Sequence, residues 1–163
     1  MFARAIPPAV FAHRRRILLE RMGPGSIALL PAAASMPRNR DVHYPFRQDS
    51  DFYYLTGFPE PEALAVLIPG GDPEFLLFCR ERDPHLEIWH GRRAGPEGAV
   101  ARYGANHAYP IAAIDKVLLP LLENRERVYY AIGDQPEFDR QVLNWINRVR
   151  DKARTGVRAP AVL

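Results

Sequence analysis

Apolar and polar positions alternate along this chain with periods that change from segment to segment. Val10, Phe11, Leu18 and Met22 fall on one face of a helix entered at Pro7-Pro8 and stopped at Gly23-Pro24. Ser26 to Leu30 is a short continuous apolar run, the pattern of a strand covered on both faces. Leu64 to Ile68 and Glu74 to Cys79 are two more such runs, joined by Pro69-Gly70-Gly71-Asp72-Pro73, and they predict an antiparallel hairpin. Gly95-Pro96-Glu97 opens a helix that Gly104 closes, and His107 to Tyr109 reads as a short strand. Ile111 to Leu122 has a helical pattern that Pro120 should end or kink. Val128 to Ile132 is a further strand. Asp134 with Pro136 then starts a last helix carrying Phe138, Val142, Trp145, Ile146 and Val149 on one face.

Between these segments the periodicity lapses. Asp49, Ser50 and Asp51 crowd acceptors ahead of Phe52, Tyr53, Tyr54 and Leu55, and Gly57 follows, which predicts a capped helix about one turn in scale. From Pro31 to about Gln48 no period survives, so this stretch is a candidate interaction loop. Arg80 to His85 is polar and loop-like. The order helix, strand, loop with short helix, hairpin, helix, strand, helix, strand, helix predicts an α/β fold, a mixed sheet flanked by helices. Periodicity leaves the number of strands open.

A chain of 163 residues suits one domain and should bury about 70% of its unfolded surface. Cys79 is the only cysteine, so no disulfide forms within one copy; in its apolar run it reads as a small core residue in a reducing compartment. The start, Met1 to Pro8, lacks an uninterrupted apolar segment, and no stretch approaches the ~20 residues of a membrane helix, which points to a cytoplasmic protein without membrane contact. A net charge of +3 raises the question of nucleic acid. Arg14-Arg15-Arg16 fan around a helix, Arg92-Arg93 lie far off, and acids are mixed in throughout, so a solvated mixed-charge face is expected and no nucleic acid. His13, His43, His85, His90 and His107 are scattered singly, whereas a two-metal hydrolase needs carboxylates and a His converging on two cations. No metal ligand and no catalytic residue is expected here.

One run stands apart: Tyr44 to Glu62, Y-P-F-R-Q-D-S-D-F-Y-Y-L-T-G-F-P-E-P-E, is aromatic, charged and turn-rich at once. With Glu87-Ile88-Trp89-His90-Gly91-Arg92-Arg93 downstream, it resembles the amino-terminal domain of the Xaa-Pro aminopeptidases of the P type, within the creatinase/prolidase amino-terminal domain family. The resemblance runs from the Arg14-Arg15-Arg16 helix to Ala159-Pro160. It implies an α/β unit with a mixed sheet of about six strands, residues 1–163 forming a single domain and a catalytic pita-bread domain following residue 163. It further implies that the parent enzyme removes the amino-terminal residue preceding proline, using two divalent cations, commonly manganese, whose ligands lie outside this chain. The implied partners are the catalytic domain, other copies of the subunit and proline-containing peptides. Two rival readings keep the question open. A prolidase-type dipeptidase shares the F-R-Q-x-S pattern at Phe46 to Ser50, although Trp89 to Arg93 favours the P type, and a stand-alone binding or assembly module would use the surface without chemistry.

Tyr44, Phe46, Phe52, Tyr53, Tyr54 and Phe58 read as a core and subcore aromatic cluster, Asp49 and Ser50 as helix caps, and Arg47 as a surface partner of Asp49 or Asp51. The residues alone leave Trp89 two roles: a partly buried Trp with its N–H satisfied, or a flat wall beside Gly91 and the two arginines that lines a pocket or anchors an interface. The resemblance implies the second, since in the P-type enzymes this loop approaches the active site and helps confine short substrates. Asp41 alone reads as a solvated carboxylate; the resemblance implies a reach toward a neighbouring subunit's cleft. Trp89, Asp41 and Arg92 are therefore the candidate substrate-cleft edge.

Overall fold

Residues 5–34, 37–39, 42–43 and 46–163 are described by the computed structural model. The strands are Ser26–Pro31 (β1), Pro37–Asn39 (β2), Val42–His43 (β3), Leu64–Leu67 (β4), Phe75–Cys79 (β5), His107–Pro110 (β6), Arg127–Tyr129 (β7) and Ala161–Val162 (β8). Six of them form one mixed sheet in the order β6-β5-β4-β1-β7-β8, while β2 and β3 pair separately. The predicted hairpin pairs antiparallel, Leu64 opposite Phe78 and Leu67 opposite Phe75. Connections long enough to hold a helix give parallel neighbours instead, β5 with β6 and β1 with β7.

The central strands β4 and β5 are buried along their whole length because helices lie on both faces of the sheet. The helices are Pro8–Met22 (α1), Ser50–Thr56 (α2), Pro84–His90 (α3), Gly95–Tyr103 (α4), Ile114–Leu122 (α5) and Pro136–Arg150 (α6). Alternate strand residues sort to opposite sides. Ile27, Leu29, Leu64, Val66, Leu76 and Phe78 pack with Leu118 and Leu122 of α5 and with Phe138, Val142, Trp145, Ile146 and Val149 of α6. Ala28, Ala65, Leu67, Phe75, Leu77 and Cys79 pack with Met22, Phe52, Phe58 and Ala99 beneath α1, α2 and α4. All five predicted apolar positions of α6 are buried. Asp115 of α5 ties these two helices together, accepting from Trp145 Nε1 at 2.8 Å and Arg148 Nη1 at 2.7 Å. Those bonds, Trp145's first, hold its carboxyl below the usual carboxylate range.

Cys79 is the core residue expected, wholly buried, with its thiol pushed up to about 12 by burial. Asp49 caps α2 by accepting from Phe52 N at 2.8 Å, and Gly57 ends it in the left-handed conformation. A side chain at Gly57 would also drive a Cβ to 2.6 Å from the Phe11 ring of α1, so that closeness of α1 to α2 requires glycine.

Several expectations need correction. Arg15 is not part of a solvated face: it is 7% exposed, donates to Leu55 O at 2.8 Å and lies 4.3 Å above the Phe75 ring. Arg14 donates to Tyr54 O at 3.1 Å, so the two cations take the free carbonyls at the negative end of α2. Burial lowers the Arg15 pKa to about 10, which still leaves it charged at neutral pH. The helical pattern expected from Ile111 opens with a 3-10 turn, Ile111–Ala113, before α5, which ends at Leu122 as expected, two residues past Pro120. The strand expected to reach Ile132 ends at Tyr129, and Ile132 is exposed. Gln135, not Asp134, occupies the position before α6. The stretch from Pro31 to Gln48 contains β2 and β3, Arg80 to His85 runs into the unforeseen α3, and β8 adds the sheet's last strand. Phe52 and Phe58 are fully buried as expected, whereas Phe46, Tyr53 and Tyr54 are exposed; Tyr44 lies outside the described residues. No ion pair joins Arg47 to Asp49 or Asp51.

Replacing Arg15 should therefore weaken the fold far more than replacing its exposed neighbour. Arg15→Ala is expected to cost ~2–4 kcal/mol, from a lost charged hydrogen bond and lost packing, in urea unfolding followed by circular dichroism. Arg16→Ala should stay within ~0.5 kcal/mol. Equal effects of the two substitutions would mean that Arg15 does not link α1 to α2.

Candidate functional site

Helix α3 is unusual because none of its residues is buried. An amphipathic helix normally forms by burying one face, yet here Leu86, Ile88 and Trp89 are 42%, 75% and 82% exposed. Polar contacts hold it instead. Asp83 caps its start, accepting from His85 N at 3.0 Å and Leu86 N at 3.2 Å, and Pro84 opens the first turn. Glu87 grips Arg82 with both oxygens, at 3.2 Å each, and also accepts from Arg93 N at 3.2 Å. Arg93 Nη1 donates to Glu81 O at 3.3 Å. One carboxylate thus clamps the residues before α3 to those after it, with Gly91 making the turn at φ 83°. The Arg82 hydrogen bond, reinforced by the Arg93 amide, holds the Glu87 carboxyl below its ordinary range.

A second carboxylate fastens this corner to the rest of the fold. Glu60 Oε1 accepts from Ala94 N at 2.6 Å, and its Oε2 lies 3.5 Å from Arg80 Nη2. Gln48 orders the segment that carries Glu60: its Oε1 accepts from Ala33 N and Asp49 N, and its Nε2 donates to Phe58 O and Glu60 O. Glu60, Glu87 and Gln48 were not singled out from the sequence. Their signal was there in part, since all three stand inside the two runs that carry the family resemblance.

Trp89 and Arg92 come together at one corner, both exposed, on either side of the Gly91 turn. The partly buried, satisfied Trp89 is thereby excluded. Asp41 lies outside the described residues, so its relation to this corner stays an expectation. Among the described residues, no group of three His, Cys, Asp or Glu side chains is placed to hold a metal ion. No helix among them is long and apolar enough to cross a membrane. The corner offers a flat aromatic face, neighbouring apolar groups and cations.

The family profile described as "Aminopeptidase P, N-terminal domain" matches residues 11–129. The Xaa-Pro aminopeptidase of Escherichia coli strain K12 is 41% identical over 155 residues, covering 94% of this chain and 35% of its own length. Human Xaa-Pro aminopeptidase 3 is 36% identical over 97 residues, 56% of this chain and 19% of that protein. Among solved structures, Pseudomonas aeruginosa aminopeptidase PepP superimposes with a TM-score of 0.93 at 56% identity, covering 96% of this chain and 36% of that one. A zinc-substituted Escherichia coli aminopeptidase P in complex with product superimposes with a TM-score of 0.91 at 40% identity, over 98% of this chain and 37% of its own. The chain spans about a third of the length of the Escherichia coli relative that it matches.

The Glu87 clamp has a defined acid response. Its folded-state pKa is depressed, so its stabilisation is present above the unfolded value of ~4.3 and is lost as pH falls through the folded one. Hydrogen exchange of the α3 amides, corrected for intrinsic rates, should hold steady from neutral pH to about 4.3 and show lost protection below it. Glu87→Gln should remove that protection at neutral pH with little change in the global melting temperature. Unchanged α3 protection in Glu87→Gln would refute the clamp.

Proposed function

The chain belongs to the aminopeptidase P N-terminal domain family, and from that premise we propose that it is the accessory domain of a metal-dependent Xaa-Pro aminopeptidase, furnishing an edge of the substrate cleft. The observation that carries this reading is the polar clamping of α3, which fixes Trp89 at 82% exposure on a helix with no core of its own. A large apolar side chain held in water has a cost that only a partner or ligand offsets. Trp89 is the wall in this reading, Arg92 the adjoining cation and Asp41 a third contributor. Short proline-containing peptides are the ligands, and the catalytic domain together with other copies of the subunit are the partners.

Divalent cations belong to the catalytic domain in this reading, and the zinc-substituted form of the Escherichia coli relative supports metal dependence for that protein. Manganese is the cation proposed for this one. Bound there, two such ions would polarise the scissile carbonyl and activate a water. The residues of this chain would instead shape the space that the peptide occupies and exclude water from it. A cytoplasmic setting completes the reading, supported by a single, wholly buried thiol.

Two measurements on Trp89→Ala test the assignment. The melting temperature of this chain should change by less than ~2 °C, as for an exposed residue. In the enzyme joined to its catalytic domain, kcat/KM for a Xaa-Pro peptide should fall about ten- to a hundredfold through lost positioning. A large loss of stability with unchanged kinetics would overturn the cleft-edge role. The chain alone, given a Xaa-Pro peptide and excess manganese, should release no amino-terminal residue; metal-dependent turnover that copurifies with it would contradict the accessory assignment.

A further inference from the structure

Beneath the α3 corner lies a cavity of about 370 Å³ lined by Glu60, Arg82, Arg92, Arg93, Arg102 and Tyr103, among others. Two of these four cations rest in notches left by glycine. A Cβ at Gly95 would come within 2.8 Å of Arg82 Cγ, and one at Gly98 within 2.8 Å of Arg102 Nη2. Arg82 is also held by Glu87, and Arg93 by Glu81 O. The only lining carboxylate is Glu60, and its oxygens are taken by Ala94 N and Arg80. Arg92, Arg93 and Arg102 are therefore left without a carboxylate partner among the described residues.

Like charges seated side by side repel, and a chain gains nothing by fixing them so unless an anion joins them. Guanidinium groups offer planar pairs of donors matched to oxyanions. Holding two of the four in advance, Arg82 by Glu87 and Arg93 by Glu81 O, lowers the ordering cost of binding. The volume falls at the small end of ligand sites and exceeds what a single carboxylate fills. We propose that this pocket binds a small multivalent oxyanion of the phosphate or pyrophosphate class. The proposal shares Arg92 with the cleft-edge reading but does not rest on Trp89, and anion binding by this chain is read without peptide turnover, so either reading can fail alone.

The test is isothermal titration calorimetry of the 163-residue chain with inorganic phosphate and with pyrophosphate, at constant ionic strength set by chloride. Saturable one-to-one binding is expected, tighter for pyrophosphate. Arg92→Gln and Arg102→Gln should each weaken it about tenfold, while Arg140→Gln, on α6 beside Glu137, should leave it unchanged. Circular dichroism checks the fold of each variant; Arg92 is exposed, so Arg92→Gln carries the test even if Arg102→Gln unfolds. An absence of saturable heat, or equal affinity in the folded arginine variants and the parent, would overturn the proposal. So would tighter binding of an oligoglutamate peptide than of pyrophosphate, since that would make the pocket a docking face for an acidic protein segment.

Discussion

The Arg15 guanidinium is the point on which one whole side of this fold converges. It starts from α1, takes a carbonyl at the end of α2, lies flat on Phe75 of β5, and its Nη2 sits 3.2 Å from where a Cβ on Gly104, the end of α4, would lie. A buried cation is expensive to desolvate, and no carboxylate among the described residues pairs with this one. Partial negative charge from the end of α2 and the face of an aromatic ring offset the cost without a second ion. The arrangement is directional in a way that the small side chains below it, Ala28, Ala65 and Ala99, are not. Those alanines let helices approach the sheet; Arg15 decides how α1, α2 and α4 sit relative to one another.

The opposite face works by different physics. Leucine, valine and tryptophan from α5 and α6 fill it at helical spacing, and Asp115 ties the two helices through Trp145 and Arg148. The α6 part of that face was legible in the sequence down to the residue, because a long amphipathic helix repeats its signal every turn. The hairpin was legible for the same reason, through two apolar runs and a turn-rich link. What was not legible shares one cause. Arg15 broke the expected pattern because a charged residue in a basic triplet carries no local sign of burial; Leu55, Phe75 and Gly104, distant in sequence, create its niche. β8 is two residues long, too short for a period, and it forms by pairing with β7 across the sheet edge. The end of α5, by contrast, was legible: the helix stops at Leu122, two residues past Pro120.

The candidate site was half legible. Trp89 and Arg92 were found through family likeness and their odd composition, and they do share a corner. The helix beneath them was missed, since Pro84 to His90 has no apolar stripe that a core would read. Its order comes from Glu87 and Glu60, whose roles depend on where Arg82, Arg93 and Ala94 arrive in space. Polar clamps of this kind leave only a spacing of charges in the sequence, and any solvated surface offers similar spacings.

A clamp made of ions and backbone amides differs from a hydrophobic anchor in what it permits. A helix anchored by apolar burial would have to hide the same side chains that α3 displays. By fastening the helix through Glu87 at one end and Glu60 at the other, the fold frees Leu86, Ile88 and Trp89 from any structural duty to this domain. The same corner gathers arginines beyond the two that Glu60 and Glu87 pair with, and these line the pocket below. Rigid presentation of an aromatic surface and a concentration of positive charge thus meet where a helix is held without a core.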